Sequence, residues 1–323
     1  MKKIALEEHF MAPGLEEYWE STMGDVAKPM YEHVSRRLSD FGELRLNEMD
    51  HAGIEIAVLG LAGPGVQIEK DAKVASRKAR EANDFLAGKV RDNRARYAGF
   101  AHLALQDPVS AAKELERCVR DLGFCGAMIN GHTNGQYLDD PALNPFWERA
   151  EALGTPIYLH PTDPVSTYSV LVGCDSLKRA MWEWGLETGS HALRLIFNGV
   201  FDRFPRAKLI LGHLGETLPF LLWRFDSRAK LYGLKLKRKP SEYIKNNVWV
   251  TTSGMFSADP LLCSVAALGQ DRVMFSADFP FEPTREAGKF MDEAPLDNPV
   301  KNAVAFQNAN ELLGLRAARE ARP

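Results

Sequence analysis

An alternation constrains this chain more than any single motif does. Short apolar runs recur between longer stretches of helical spacing, and the cycle repeats eight times. The runs fall at Ile4–Phe10, Ile54–Leu61, Tyr97–Leu103, Gly126–Asn130, Pro156–His160, Ala207–His213, Val248–Thr252 and Val273–Ser276. Ile54–Leu61 is almost wholly apolar, the pattern of a parallel strand covered on both faces. The intervening helices are expected at Leu44–Ala52 with Gly53 as its stop, Asp71–Arg91, Pro108–Leu122, Pro141–Leu153, Trp182–Phe201, Leu218–Tyr232, Pro260–Leu268 and Pro299–Leu313. Eight strand–helix units in 323 residues predict an α/β fold, a (β/α)8 TIM barrel with enlarged βα loops. The span 1–323 reads as one domain. An open, doubly wound sheet is the alternative, but Gly60-Leu61-Ala62-Gly63-Pro64-Gly65 lacks the Gly-x-Gly-x-x-Gly spacing and carries proline where a phosphate-binding helix would start. Residues 11–39 follow the first strand without a helical pattern, and they read as an irregular lid insertion over a site.

Charge and cysteine usage narrow the function. A net charge of -3 gives no footprint for nucleic acid or an anionic membrane, and no apolar stretch is long enough to span a bilayer. The basic run ending at Lys239 reads as a solvated loop. Four cysteines without C-x-x-C spacing read as reduced thiols, and no leading apolar stretch resembles a signal peptide, so a cytoplasmic location is expected.

A barrel places its chemistry at the C-terminal ends of its strands, which makes a test possible. In Leu6-Glu7-Glu8-His9-Phe10, alternation puts Glu7 and His9 on one face and Leu6, Glu8 and Phe10 on the other. His160 ends the fifth strand, His213 ends the sixth, and Asp278 follows the eighth. Each has a plainer reading alone: an edge strand with polar side chains in water, or a hydrogen-bonded core histidine. His102, also near a strand end, warns against reading every such histidine as a ligand. Taken together, Glu7, His9, His160, His213 and Asp278 form a mixed nitrogen and oxygen set suited to one Zn²⁺ or Mn²⁺ ion. Asn130-Gly131-His132 offers no bridging group for a second ion, and His132 reads as a loop residue.

The motifs Leu6-Glu7-Glu8-His9-Phe10, Tyr158-Leu159-His160-Pro161, Gly212-His213-Leu214-Gly215-Glu216, Trp223-Arg224-Phe225-Asp226 and Ser276-Ala277-Asp278-Phe279-Pro280 stand in an order that resembles the metal-dependent amidohydrolase superfamily. The resemblance is to its decarboxylase branch, which includes γ-resorcylate, 2,3-dihydroxybenzoate, 5-carboxyvanillate and aminocarboxymuconate semialdehyde decarboxylases. It implies metal ligation by Glu7, His9, His160 and Asp278, with His9 the ligand that some relatives lack. It implies His213 and Glu216 beside the reacting carboxylate, and Arg224 either holding that carboxylate or forming a salt bridge with Asp226 or Glu216. It also implies a homodimer or homotetramer.

The expected activity is non-oxidative decarboxylation of an ortho-hydroxylated benzoate. Among candidates, 2,6-dihydroxybenzoate stands slightly before 2,3-dihydroxybenzoate, salicylate and 5-carboxyvanillate. A metal would bind carboxylate and phenolate, Asp278 would protonate the ring carbon, and CO₂ would leave. Phe10, Phe279, Phe281 and Trp182 or Trp184 are candidate walls for a small aromatic carboxylate. The loops 11–39 and Pro161–Asp175 are candidate lids. A metal-dependent amidase or lactonase of the same superfamily is the rival reading, with Asp278 taking a proton from bound water.

Overall fold

The structure, a computed structural model, describes residues 1–23 and 26–315; the rest of the expected lid stretch and of the 1–323 span lies outside them. Eight strands run β1 Lys3–Phe10, β2 Ile54–Leu61, β3 Tyr97–Ala101, β4 Gly126–Asn130, β5 Ile157–His160, β6 Leu209–Leu211, β7 Val248–Thr251 and β8 Val273–Met274. They pair in sequence order as one parallel sheet. β8 is only two residues long, and a single bridge, Glu8 to Phe279, joins its extension to β1. This nearly closed sheet is the barrel that the alternation predicts, and every residue of β1 is buried, which removes the edge-strand reading.

Two apolar layers hold the barrel. Inside, Ile4, Leu6, Ile56, Val58, Phe100, Met128, Tyr158, Ile210 and Met274 fill the lower interior, and Phe306, Ala309 and Leu313 plug the N-terminal end. Outside, the helices lay their apolar stripes on the strands. Helix Ala72–Asp92, for example, presents Ala75, Ala79, Ala82 and Leu86 inward. Its start is fixed by Asp71, whose side chain accepts from the Lys73 and Val74 amides, and the helix Glu43–Ala52 ends on left-handed Gly53.

Three local readings differ from the structure. Residues 11–39 hold two helices, Glu16–Met23 and Lys28–Leu38, rather than irregular chain. Trp19 is buried there with its ring 5.0 Å from Tyr31; the first helix packs on residues Gly65–Ile68 and the second on β1, and Lys78 Nζ of helix Ala72–Asp92 reaches Glu17 at 3.0 Å. An aromatic-rich stretch with weak helical spacing gained its helices from this packing. The sixth strand stops at Leu211, before a left-handed turn over His213–Thr217. Finally, helix Thr284–Glu293, absent from the sequence pattern, covers helix Glu43–Ala52, with Gly288 pressed against Ala52. No helix among the described residues is long and apolar enough to cross a membrane.

Candidate active site

β1 carries two candidate ligands into the barrel by breaking its own alternation. Ala5 pairs with Ala57 and Glu8 with Leu59, so three steps on β1 face two on β2. This bulge lets Ile4 and Leu6 fill the lower interior while Glu7 and His9 both point into the mouth. Glu7 is then fixed at each end. Its amide donates to Ser276 Oγ at 2.6 Å, and its Oε2 accepts from the Tyr158 hydroxyl, which stands 2.8 Å from Thr251 Oγ1. Gly212 makes room, since a Cβ there would lie 2.6 Å from Glu7 Oε2. Of the two Glu7 carboxylate oxygens, Oε1 is left buried without a hydrogen-bond partner.

The other members converge on that free oxygen. His160 Nε2 lies 3.3 Å from Glu7 Oε1, with its Nδ1 fixed by Pro161 O at 2.8 Å. His9 Nε2 lies 4.0 Å from Glu7 Oε1 and 3.3 Å from Asp278 Oδ1. Donors held at about 2.0–2.2 Å around one ion stand roughly 3.0–3.6 Å apart. Glu7 Oε1, His9 Nε2 and Asp278 Oδ1 are all buried without hydrogen-bond partners, so the residues fit a divalent cation. Glu7, His9 and His160 form one grouping able to hold an ion; Glu7, His213 and Asp278 form another.

Beside the cluster stands a histidine arranged differently. His213 Nδ1 is bound by Glu216 Oε1 at 2.7 Å, while its Nε2 faces Asp278 Oδ2 at 3.9 Å. Backbone strain fixes these groups: His213, Leu214, Glu216, Thr217 and Asp278 are non-glycine residues with φ between 50° and 65°. Such conformations cost on the order of 1 kcal/mol or more each and cluster at functional sites. Burial opposes a proton on His213, but Glu216, Glu7 and Asp278 outweigh it and raise its pKa well above the ordinary value. Burial would raise Asp278, yet the adjoining His213 and His9 imidazoles hold it below the usual carboxylate range. The proton of this pair therefore rests on His213. Burial and the neighbouring His9 push His160 well below its ordinary value, which leaves it neutral, as a ligand must be.

The expected wall residues divide. Phe281 is half exposed at the mouth, its ring 5.4 Å from that of His9. Phe10 is a correction: it points out of the barrel, its ring 5.9 Å from Phe41 and 6.4 Å from Phe85, because the bulge fixes it opposite His9. Phe279 likewise lies buried under Arg45, 4.3 Å from its ring centre, and not at the mouth. Arg224 is the second correction. It is exposed, and neither expected partner reaches it: Asp226 accepts from Ser241, and Glu216 is taken up by His213. Trp182 is exposed, whereas Trp184 donates to Asp163 Oδ1 at 2.6 Å and ties the loop after β5 to helix Glu183–Phe197. His102 is a core histidine accepting from the Val66 amide at 3.0 Å, and His132 stands on the β4 loop. His132, Pro64, Lys70, Thr162 and Asp163 line a cavity of about 710 Å³ at the same end of the barrel. Tyr158 and Glu8 were missed. Tyr158 was detectable, since it lies two residues before His160 on the same strand face.

A (β/α)8 barrel whose mouth gathers two carboxylates and two imidazoles, with unpartnered atoms on Glu7, His9 and Asp278, defines a class of enzyme built to hold a divalent cation. The comparisons narrow that class. Residues 31–315 match the amidohydrolase family model, and the chain belongs to that family. It is 40% identical over 324 residues to γ-resorcylate decarboxylase of Polaromonas sp. strain JS666, covering 97% of this chain and 98% of that one. A structure of 2,6-dihydroxybenzoate decarboxylase complexed with 2,6-dihydroxybenzoate superimposes with a TM-score of 0.92 at 38% identity, covering 97% and 99% of the two chains. A dihydroxybenzoic acid decarboxylase from Polaromonas, with bound manganese and the inhibitor 2-nitroresorcinol, gives 0.94 at 39% identity, covering 100% and 99%. Within its family the chain stands with the decarboxylases, which are carboxy-lyases, and the hydrolase expectation is set aside.

Proposed function

We propose that this chain is a metal-dependent, non-oxidative decarboxylase of an ortho-hydroxylated benzoate, with 2,6-dihydroxybenzoate first among the candidates. The observation that carries the reading is the convergence of unpartnered Glu7 Oε1, His9 Nε2 and Asp278 Oδ1 with His160 Nε2 at the barrel mouth. Glu7, His9, His160 and Asp278 would hold the ion, with Mn²⁺ before Zn²⁺ because manganese is the metal bound in the similar dihydroxybenzoic acid decarboxylase. When bound, the ion supplies a Lewis acid and a template for the carboxylate and ortho-phenolate.

The chain's own residues account for the rest. Phe281 bounds the ring beside His9, and the cavity under the β2, β4 and β5 loops is the approach to the site. The His213–Asp278 pair carries one proton, and Glu216 fixes the imidazole that lends it. Asp278 passes that proton to the ring carbon bearing the carboxylate. The carbon–hydrogen bond forms, the bond to the carboxyl carbon breaks, and its electron pair restores the aromatic ring as CO₂ departs. Helices Glu16–Met23 and Lys28–Leu38 and the Pro161–Asp175 loop serve as lids that limit water.

The assembly is a homodimer or homotetramer, a reading supported by Phe220 and Trp223, which are 80% and 77% exposed and three residues apart at the start of helix Leu222–Leu231. Four free cysteines fit a cytoplasmic location. The test is turnover by Mn²⁺-loaded protein of 2,6-dihydroxybenzoate, 2,3-dihydroxybenzoate, salicylate and 5-carboxyvanillate, followed by CO₂ release. Release from one of them, lost at least 100-fold in Asp278→Asn, is expected. Release from none by metal-loaded protein refutes the reading.

A further inference from the structure

The barrel closes at β8 and β1 without a strand ladder. β8 ends at Met274, four residues before Asp278, so no run of paired backbone groups sets Asp278 against the ligands of β1. Side chains fill that gap. The Glu7 amide donates to Ser276 Oγ at 2.6 Å, Ser276 Oγ donates to Glu8 Oε1 at 3.3 Å, and the Ala277 amide donates to the same oxygen at 3.0 Å. One backbone bond follows, His9 N–H to Phe279 O at 2.8 Å. Arg45 braces the outside, donating to His9 O at 2.6 Å while lying over the Phe279 ring. Glu8 and Ser276 are 2% and 0% exposed, and neither belongs to a grouping able to hold an ion.

This chain of bonds links the amide of Glu7 to the amide immediately before Asp278. A shift of the seam would move the Asp278 carboxylate relative to His9 Nε2, which now stands 3.3 Å from Asp278 Oδ1 and 4.0 Å from Glu7 Oε1. The strained backbone of Asp278, at φ 64°, has no regular strand to hold it and is flanked instead by two anchors on β1, the Ala277 amide on Glu8 and the Phe279 carbonyl on the His9 amide. We propose that Glu8 and Ser276 are positioning residues, a side-chain seam that replaces the absent β8–β1 ladder and sets the affinity of the site for its divalent cation. The inference rests on the metal reading given above. It requires an acceptor at Glu8 Oε1, not a negative charge.

The experiment is titration of metal-free protein with Mn²⁺, reading free ion by its paramagnetic resonance signal, for the unaltered chain, Glu8→Ala, Glu8→Gln and Ser276→Ala. Circular dichroism at the same temperature selects folded samples. Outer groups that orient ligands typically change metal affinity 10–100-fold. Glu8→Ala and Ser276→Ala are expected to weaken Mn²⁺ binding by about that factor, and Glu8→Gln, whose amide oxygen accepts both bonds, to stay within about threefold. A folded Glu8→Ala protein that binds as tightly as the unaltered chain overturns the proposal, and so does a Glu8→Gln protein as weak as Glu8→Ala. If Glu8→Ala does not fold, Ser276→Ala and Glu8→Gln decide alone by the same criteria. An unaltered chain that binds no Mn²⁺ overturns the metal reading itself, and this is distinguishable because no variant is then needed.

Discussion

Replacing Tyr158 with phenylalanine removes one oxygen from the floor of the site and little else. The ring stays in the lower barrel beside Phe100, 5.9 Å away, so packing is conserved. Lost are the donor to Glu7 Oε2 and the contact with Thr251 Oγ1 at 2.8 Å. A hydrogen bond to a charged group contributes about 1.5–3 kcal/mol. If that energy acts on the ion-holding geometry of Glu7, affinity falls roughly 10- to 150-fold, at 1.4 kcal/mol per factor of ten. The assay is calorimetric Mn²⁺ titration of metal-free Tyr158→Phe protein, alongside its urea unfolding midpoint. An affinity within twofold of the unaltered chain, in a folded protein, would refute the claim that Tyr158 orients Glu7.

Three further outcomes follow from the same geometry. Gly254 has φ 59°, and a Cβ there would lie 3.0 Å from His213 Cδ2 and 3.6 Å from Asp278 Oδ2; Gly254→Ala should lower kcat at least tenfold with metal content unchanged, and unchanged kcat would contradict the role given to that pair. Buried His102 and His191 each accept a backbone N–H, from Val66 and Leu138, and burial pushes both down to about 3. They are neutral when folded, so stability is full above the unfolded pKa of about 6.5 and falls as pH drops towards 3, by about 2 kcal/mol for each at pH 5; urea midpoints that do not fall between pH 7.5 and 5 would contradict this. Phe10→Leu should cost about 1–2 kcal/mol of stability and leave KM unchanged, since the ring packs outside the barrel; a tenfold rise in KM would return Phe10 to the pocket.

The parts of this molecule that sequence made legible are those governed by period. Near-continuous apolar runs and helical stripes gave the eight units, and strand ends brought Glu7, His9, His160, His213 and Asp278 into one place. What escaped depended on contacts between distant segments. Alternation assigned Glu7 and His9 to one face correctly and Leu6 to the opposite one wrongly, because the bulge between Ala5 and Glu8 is a matter of pairing with β2. Phe10 and Arg224 were carried to the site by proximity to motifs, and proximity along the chain does not fix direction. Helices Glu16–Met23 and Lys28–Leu38 pack on residues Gly65–Ile68 and on β1, and the seam made by Glu8 and Ser276 joins residues 268 positions apart. No local pattern encodes such pairs.

The central claim is that four side chains, Glu7, His9, His160 and Asp278, hold one divalent ion. Anomalous scattering from a Mn²⁺-soaked crystal, collected at the manganese edge, tests it directly. The account predicts one strong peak at about 2.0–2.3 Å from Glu7 Oε1, His9 Nε2, His160 Nε2 and Asp278 Oδ1. A peak bound instead through His213, or no peak within the barrel mouth, would contradict it.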